Sequence, residues 1–242
     1  MAWVSPMPID PLHGRRIPSG ARLARVIRDV LLRMLRHAQA AVWAGHAPDF
    51  ARFEEPLFKA MLPILLHEWQ LGREQAARNI RKRKVVSRKS SRLTTSFNLI
   101  REAVPRAIQQ AILAVVGSIT ESLKQEVRDR MESGLRAGAS NTSIADSLTT
   151  VFTPQRAATI AATEASRAMH AGETEYANEA GATGLEWLAS SDACDRCLEL
   201  SDKRVKFGEP FVVLTAVAPE YRNVMYPPLH PNCMCSTKTW WK

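Results

Sequence analysis

Apolar residues recur at Leu23, Val26, Ile27, Val30, Leu31, Met34, Leu35, Ala38 and Val42. That i, i+3, i+4, i+7 spacing draws one stripe along a helix. Ser19 stands ahead of it as a capping hydroxyl, and Gly45 and Pro48 stand behind it as stops. A second helical pattern runs through Phe53, Leu57, Met61, Ile64, Leu65 and Trp69, with Pro63 inside it as an expected kink or break. A third occupies Leu99, Ile100, Ala103, Val104, Ala107, Ile108, Ala111, Ile112 and Val115, bent at Pro105. A fourth spans about Thr120 to Arg136, with Leu123, Val127, Met131 and Leu135 inward and Gly138 as its stop.

A short helix is expected from Asn141 or Thr142, carrying Ile144, Leu148 and Phe152. Thr153-Pro154 is then a strong start signal, a capping hydroxyl followed by proline at the first helical position. The helix it opens should reach Ala180 and stop at Gly181. Its inner face is small (Ala157, Ala161, Ala168, Ala171) and permits close approach of another helix. After Gly184 the period changes. Leu185–Ala189, Arg204–Phe207, Phe211–Leu214 and Ser236–Trp241 are short β-leaning stretches between turn residues. The expected organisation is an extended arm over 1–18, a helical region over 19–152, and a domain over 153–242 made of one long helix and a small β-rich module.

Charge sharpens this division. Of 33 Lys+Arg and 24 Asp+Glu, residues 1–117 carry 20 and 8, so the formal +9 belongs to the N-terminal half. Its densest part is Arg78, Arg81, Lys82, Arg83, Lys84, Arg88, Lys89 and Arg92, a run without one acid. Such a run either solvates a linker or meets an anion, and phosphate contact there would be blind to base sequence. No aromatic is interleaved, so base stacking is not indicated. No apolar run has the roughly 18–20 residues of a membrane helix. The opening Met1–Pro6 lacks the basic-then-apolar order of a secretory signal, so a reducing compartment is expected.

All four cysteines lie near the C-terminal end. Cys194-Asp195-Arg196-Cys197 is followed by His230-Pro231-Asn232-Cys233-Met234-Cys235. C-x2-C sets two thiolates on one turn, H-x2-C-x-C offers a second claw, and zinc takes four N or S ligands in a tetrahedron. Five donors compete for four places. An all-cysteine set and a set of His230 with three sulfurs both fit, and the tight C-x-C spacing favours the second. Two disulfides, or four unrelated core cysteines, are the rival readings. A sulfur-rich closed site leaves no open position for substrate water, so the expected metal is structural zinc and the fold class is a mainly α N-terminal region with a small α+β zinc-stabilised C-terminal module. No G-x-S-x-G, P-loop or H-E-x-x-H motif is present, and Glu164 with Arg167, three apart, reads as a local surface ion pair.

The C-terminal third resembles the phage Mu protein F-like minor head proteins, or phage head morphogenesis proteins. The resemblance is carried by Thr163-Glu164, Arg167-Ala168, Gly172, Gly181, Trp187, Asp192, Cys194, Cys197 and Leu200, and closes on Pro227-Pro228-Leu229-His230-Pro231-Asn232-Cys233-Met234-Cys235. Two positions depart from the family pattern. Met234 stands where relatives usually have Arg, and Leu200-Ser201-Asp202-Lys203 replaces a usual L-D-G-K. The resemblance implies a non-enzymatic minor capsid protein of a tailed phage or prophage, made in the host cytoplasm and carried in the virion head near the portal vertex. It implies the portal oligomer, other head proteins and packaged double-stranded DNA as partners. A zinc-containing, sequence-independent DNA-binding protein is the alternative, and a zinc nuclease a weaker one. The first amphipathic helix, with Arg22, Arg25, Arg28, Arg33 and Arg36 around its stripe, has two possible uses: its apolar face docks in a portal groove while its arginines pair with acidic rim residues, or it packs internally with the helices at 53–71 and 99–116.

Overall fold

The computed structural model describes residues 18–84, 97–213 and 223–242; the expected arm over 1–18, except Pro18, and the basic residues Arg88, Lys89 and Arg92 lie outside them. Five helices build the larger part: α1 (Pro18–Trp43), α2 (Glu54–Lys84), α3 (Phe97–Arg136), α4 (Asn141–Ser147) and α5 (Pro154–Glu179). A short α6 (Asp195–Leu198) and five strands build the rest: β1 (Gly184–Leu188), β2 (Arg204–Lys206), β3 (Val212–Val213), β4 (Asn223–Val224) and β5 (Ser236–Trp240). The chain is mostly helical with a small C-terminal sheet region, as the periodicities predict.

The stripe of α1 is internal. Leu23, Ile27, Val30, Leu31, Met34, Ala38 and Val42 are all buried in one core with Leu57 and Met61 of α2 and Ala157, Ala161 and Ala165 of α5. That removes the groove-docking use of its apolar face, which already has its partners. Pro63 does not divide α2, which continues past it for nearly six more turns. Apolar neighbours on both sides of the proline (Leu57, Met61, Ile64, Leu65) are held in the core, and this packing outweighs the backbone hydrogen bond that Pro63 lacks. The third and fourth predicted helices are one helix, α3, running through Gly117.

Helix α5 starts as expected, with the Thr153 hydroxyl accepting from the Arg156 N–H at 3.1 Å and Pro154 in the first turn. It ends at a Gly181 in the left-handed region (φ 81°). Its small inner face brings its backbone against that of α2. A Cβ added at Gly172 would meet the Trp69 carbonyl oxygen at 2.0 Å, and one added at Gly72 would meet the Met169 carbonyl oxygen at 2.0 Å. Glycine is required on both sides of this crossing. Polar groups clamp its flank: Arg73 donates twice to Glu179 (2.9 and 2.6 Å), and the Trp69 indole N–H donates to Glu175 (3.1 Å). The Arg73 guanidinium also lies over the Trp69 ring, 5.0 Å from its centroid.

The module's larger sheet has strand order β2-β1-β5, antiparallel throughout, with β3 and β4 as a separate pair. Central strand β1 places Trp187 fully buried against Phe211, ring centroids 5.2 Å apart and edge-on. Glu186 on the opposite face is held by Arg204 (2.6 Å) on β2 and Lys238 (3.8 Å) on β5, one carboxylate tying three strands. Trp240 belongs to this last strand and donates to the Val205 carbonyl at 3.4 Å.

Candidate metal centre

The two claws close on one point beside the sheet. Cys194 stands at the N-terminal boundary of α6, and the following turn returns Cys197 inward, where it is fully buried. The second claw is a tight turn in which the Cys233 N–H donates to the His230 carbonyl at 3.1 Å and Asn232 takes a left-handed conformation (φ 59°). Helix α5 holds this turn from behind. The Thr163 hydroxyl donates to the Thr159 carbonyl (2.8 Å) and accepts from the Asn232 N–H (3.3 Å).

Within the centre, His230 Nε2 lies 3.2 Å from Cys194 Sγ and 3.3 Å from Cys197 Sγ, and Cys197 Sγ lies 3.7 Å from Cys233 Sγ. Sulfurs bonded to each other would be about 2.05 Å apart, so these are free thiols and the disulfide reading fails. A tetrahedral zinc with the usual bond lengths separates two sulfurs by about 3.8 Å and a sulfur from a nitrogen by about 3.5 Å. The observed separations lie close to both. The donors form two overlapping triads, Cys194–Cys197–His230 and Cys197–Cys233–Cys235, joined through Cys197.

The histidine is oriented for ligation. Its Nδ1 lies 2.8 Å from the Pro231 carbonyl oxygen, which only accepts, so Nδ1 carries the proton and Nε2 presents its lone pair to the sulfurs. The thiols divide by environment. Cys194, exposed, is held below the ordinary thiol value, first by the backbone N–H of Cys197. Burial pushes the Cys197 thiol up, and the neighbouring Cys233 and Cys235 push it further. Cys235 is raised as well, chiefly by burial, against an opposing backbone N–H of Ser190. Packed sulfurs that resist ionising side by side are the donor set that a soft cation relieves, because its charge makes each thiolate favourable. The residues therefore fit a metal ion.

Sequence reasoning did not find what holds the centre. Glu164 and Arg167 do pair, at 3.1 Å, but not on the surface: Glu164 is 8% exposed, and burial raises its carboxyl above the usual range, with Arg167 opposing the rise. Burial also raises the Tyr226 phenol, on the approach to the second claw, with Arg167 opposing. Helix α5 thus meets the second claw at two places: Thr163 holds the Asn232 turn, and Glu164 and Arg167 act electrostatically on Tyr226, just before it. Of the basic run, Arg78 and Arg81 are exposed on the last turns of α2, and Arg78 pairs with Glu74 at 3.6 Å. Lys82, Arg83 and Lys84 continue that helix, so this part of the run is helical and not a linker.

A mostly helical protein whose small sheet module gathers cysteines and a histidine into a metal-competent cluster is the class that fold and site define. Residues 125–238 match the model of the phage Mu protein F like family, which bears out the resemblance carried by the α5 and claw motifs. The match supports a phage head morphogenesis protein. It starts within α3 and ends within β5, a little under half of the chain. Comparison with curated proteins and with solved structures gave no match. No described helix is long and apolar enough to cross a membrane.

Proposed function

We propose that the chain is a structural minor head protein that sits at the portal vertex of a phage or prophage particle and acts in head assembly or DNA delivery. The family match over 125–238 carries the reading. The module is a small scaffold stapled by one zinc, held by four of Cys194, Cys197, His230, Cys233 and Cys235. Separations near tetrahedral values and the Nδ1–Pro231 hydrogen bond support that ion. Zinc here supplies folding free energy rather than chemistry, since four protein ligands fill its coordination. The C-terminal domain over 153–242 carries the family's motifs, with the match reaching back to residue 125 in α3, and the basic end of α2, with the residues beyond it, faces packaged DNA or an acidic head-protein surface.

Two measurements test this together. Elemental analysis of protein purified without chelator should find about one zinc per chain. The full chain should co-purify with the portal oligomer when the two are expressed together. Protein that is folded and metal-free after such purification would remove the zinc part, and absence of portal binding would remove the vertex assignment.

A further inference from the structure

With its apolar stripe buried, α1 turns a second face outward. Arg22, Arg25, Arg28, Arg33 and Arg36 are all exposed there, against one acid, Asp29. Asp29 serves its own neighbours: Arg28 reaches its carboxylate at 3.3 Å, and Arg33 donates to its carbonyl at 3.4 Å. Arg22, Arg25 and Arg36 have no ion-pair or hydrogen-bond partner among the described residues. Two large apolar side chains share this face, Leu32 at 39% and Trp43 at 54% exposure. Arg25, Leu32, Arg36 and Trp43 stand at i, i+7, i+11 and i+18, the spacing of one seam along a helix. From Arg22 to Trp43 the face is about 30 Å long.

We infer that this outer face of α1 is a docking surface for an acidic protein surface with an apolar notch for Trp43, resting on the proposed portal role for the identity of that protein. Charge complementarity sets the sign of the partner, and the seam sets its kind. Arginine and tryptophan are the side chains that anchor protein interfaces, arginine through paired bonds to carboxylates and tryptophan through a large rigid area. A nucleic-acid backbone would satisfy the guanidiniums but offers nothing apolar to Leu32, and a duplex gives Trp43 no free base to stack on. The attachment therefore lies on the opposite side of α1 from its apolar stripe, and needs no unpacking of the core.

The test uses the full chain, with all substitutions at exposed positions. Portal binding should weaken at least tenfold in R22E/R25E/R36E and at least fivefold in W43A, with helical circular dichroism unchanged. R128E/R130E, exposed on α3, should leave it unaltered. Equal portal binding by the wild type, R22E/R25E/R36E and W43A overturns the docking surface while the portal role stands. No portal binding by the wild type removes the portal role and this face's assignment with it. If R22E/R25E/R36E keeps the portal but loses a 30-base-pair duplex of arbitrary sequence, the face is a nucleic-acid surface and the inference is wrong.

Discussion

The helical bundle and the cysteine module are held together by different physics. Among the described residues the bundle's core joins twenty-five buried apolar side chains from five helices and the connections between them, while the module's core has nine, three of them cysteines. Four of the bundle's five helices span seven turns or more, so one periodic stripe on each suffices to bury them together. The module's strands are two to five residues long and its helix has four, lengths that no local propensity stabilises. Small cores of this kind need a staple, and the Cys/His cluster is the staple available. On the proposed zinc reading, one region is stable through repetition and the other through a single point.

The largest expected effect follows from that contrast. Structural zinc contributes apparent free energies on the order of 10–16 kcal/mol in small domains, more than the whole net stability of many of them. Treating the full chain with a strong chelator, or replacing Cys197 with Ser, should unfold residues 184–242 and leave the bundle helical. Trp187, buried against Phe211, reports the module in a chain whose other five tryptophans are replaced by Phe: its fluorescence should shift to that of a water-exposed indole. Far-ultraviolet circular dichroism reports the helices and should change little. A chelated chain with Trp187 still buried would erase the distinction between the two regions.

How much of each region was legible follows the same division. The stripe of α1, the Thr153 cap, the Gly181 stop and four of the strands are short-range facts, carried by periodicity and turn chemistry within a few residues. The claws were legible for the same reason, being two local spacings. What could not be read were pairings between segments about seventy to a hundred residues apart. Thr163 on Asn232 and Arg73 on Glu179 depend on a register between elements that no local pattern encodes. Strand β4, two residues long, exists only because β3 lies beside it. Helix α2 runs on past Trp69 because its later turns are carried on α5 and the module, with Ile80 buried against Ala177 and Ala182.

A second test probes the bundle where its packing is tightest. Gly172→Val places branched carbon where a bare Cβ already meets the Trp69 carbonyl oxygen at 2.0 Å. That oxygen is backbone, so relief requires α2 and α5 to separate, and the Arg73–Glu179 clamp separates with them. A loss of about 4 kcal/mol is expected, at the upper end for a single overpacking change. Denaturant unfolding followed at the helical signal measures it. A loss below 1 kcal/mol would show the crossing to be looser than its geometry.

The smallest of the three effects concerns an interruption in the bundle's apolar logic. Glu68 lies on α2 between Leu65 and Gly72, is 1% exposed, and its Oε1 has no hydrogen-bond partner among the described residues. Burial alone pushes its carboxyl up to about 7 from 4.5. In the unfolded chain the same group ionises near 4.5, so between the two values the folded state holds a proton that the unfolded state has released. Folding is therefore favoured at low pH and weakened as pH rises from 4.5 to 7, with no further change from this residue above. The shift corresponds to about 3 kcal/mol, an order-of-magnitude figure. Glu68→Met keeps the volume and removes the titration. Its stability should match that of the wild type near pH 4.5 and exceed it by about 3 kcal/mol at pH 8, with the module's own pH response cancelling in the difference. A difference between the two proteins that is the same at both pH values would mean that the carboxylate finds a compensating charge in the folded chain, and that the bundle is not the purely apolar assembly the comparison makes it.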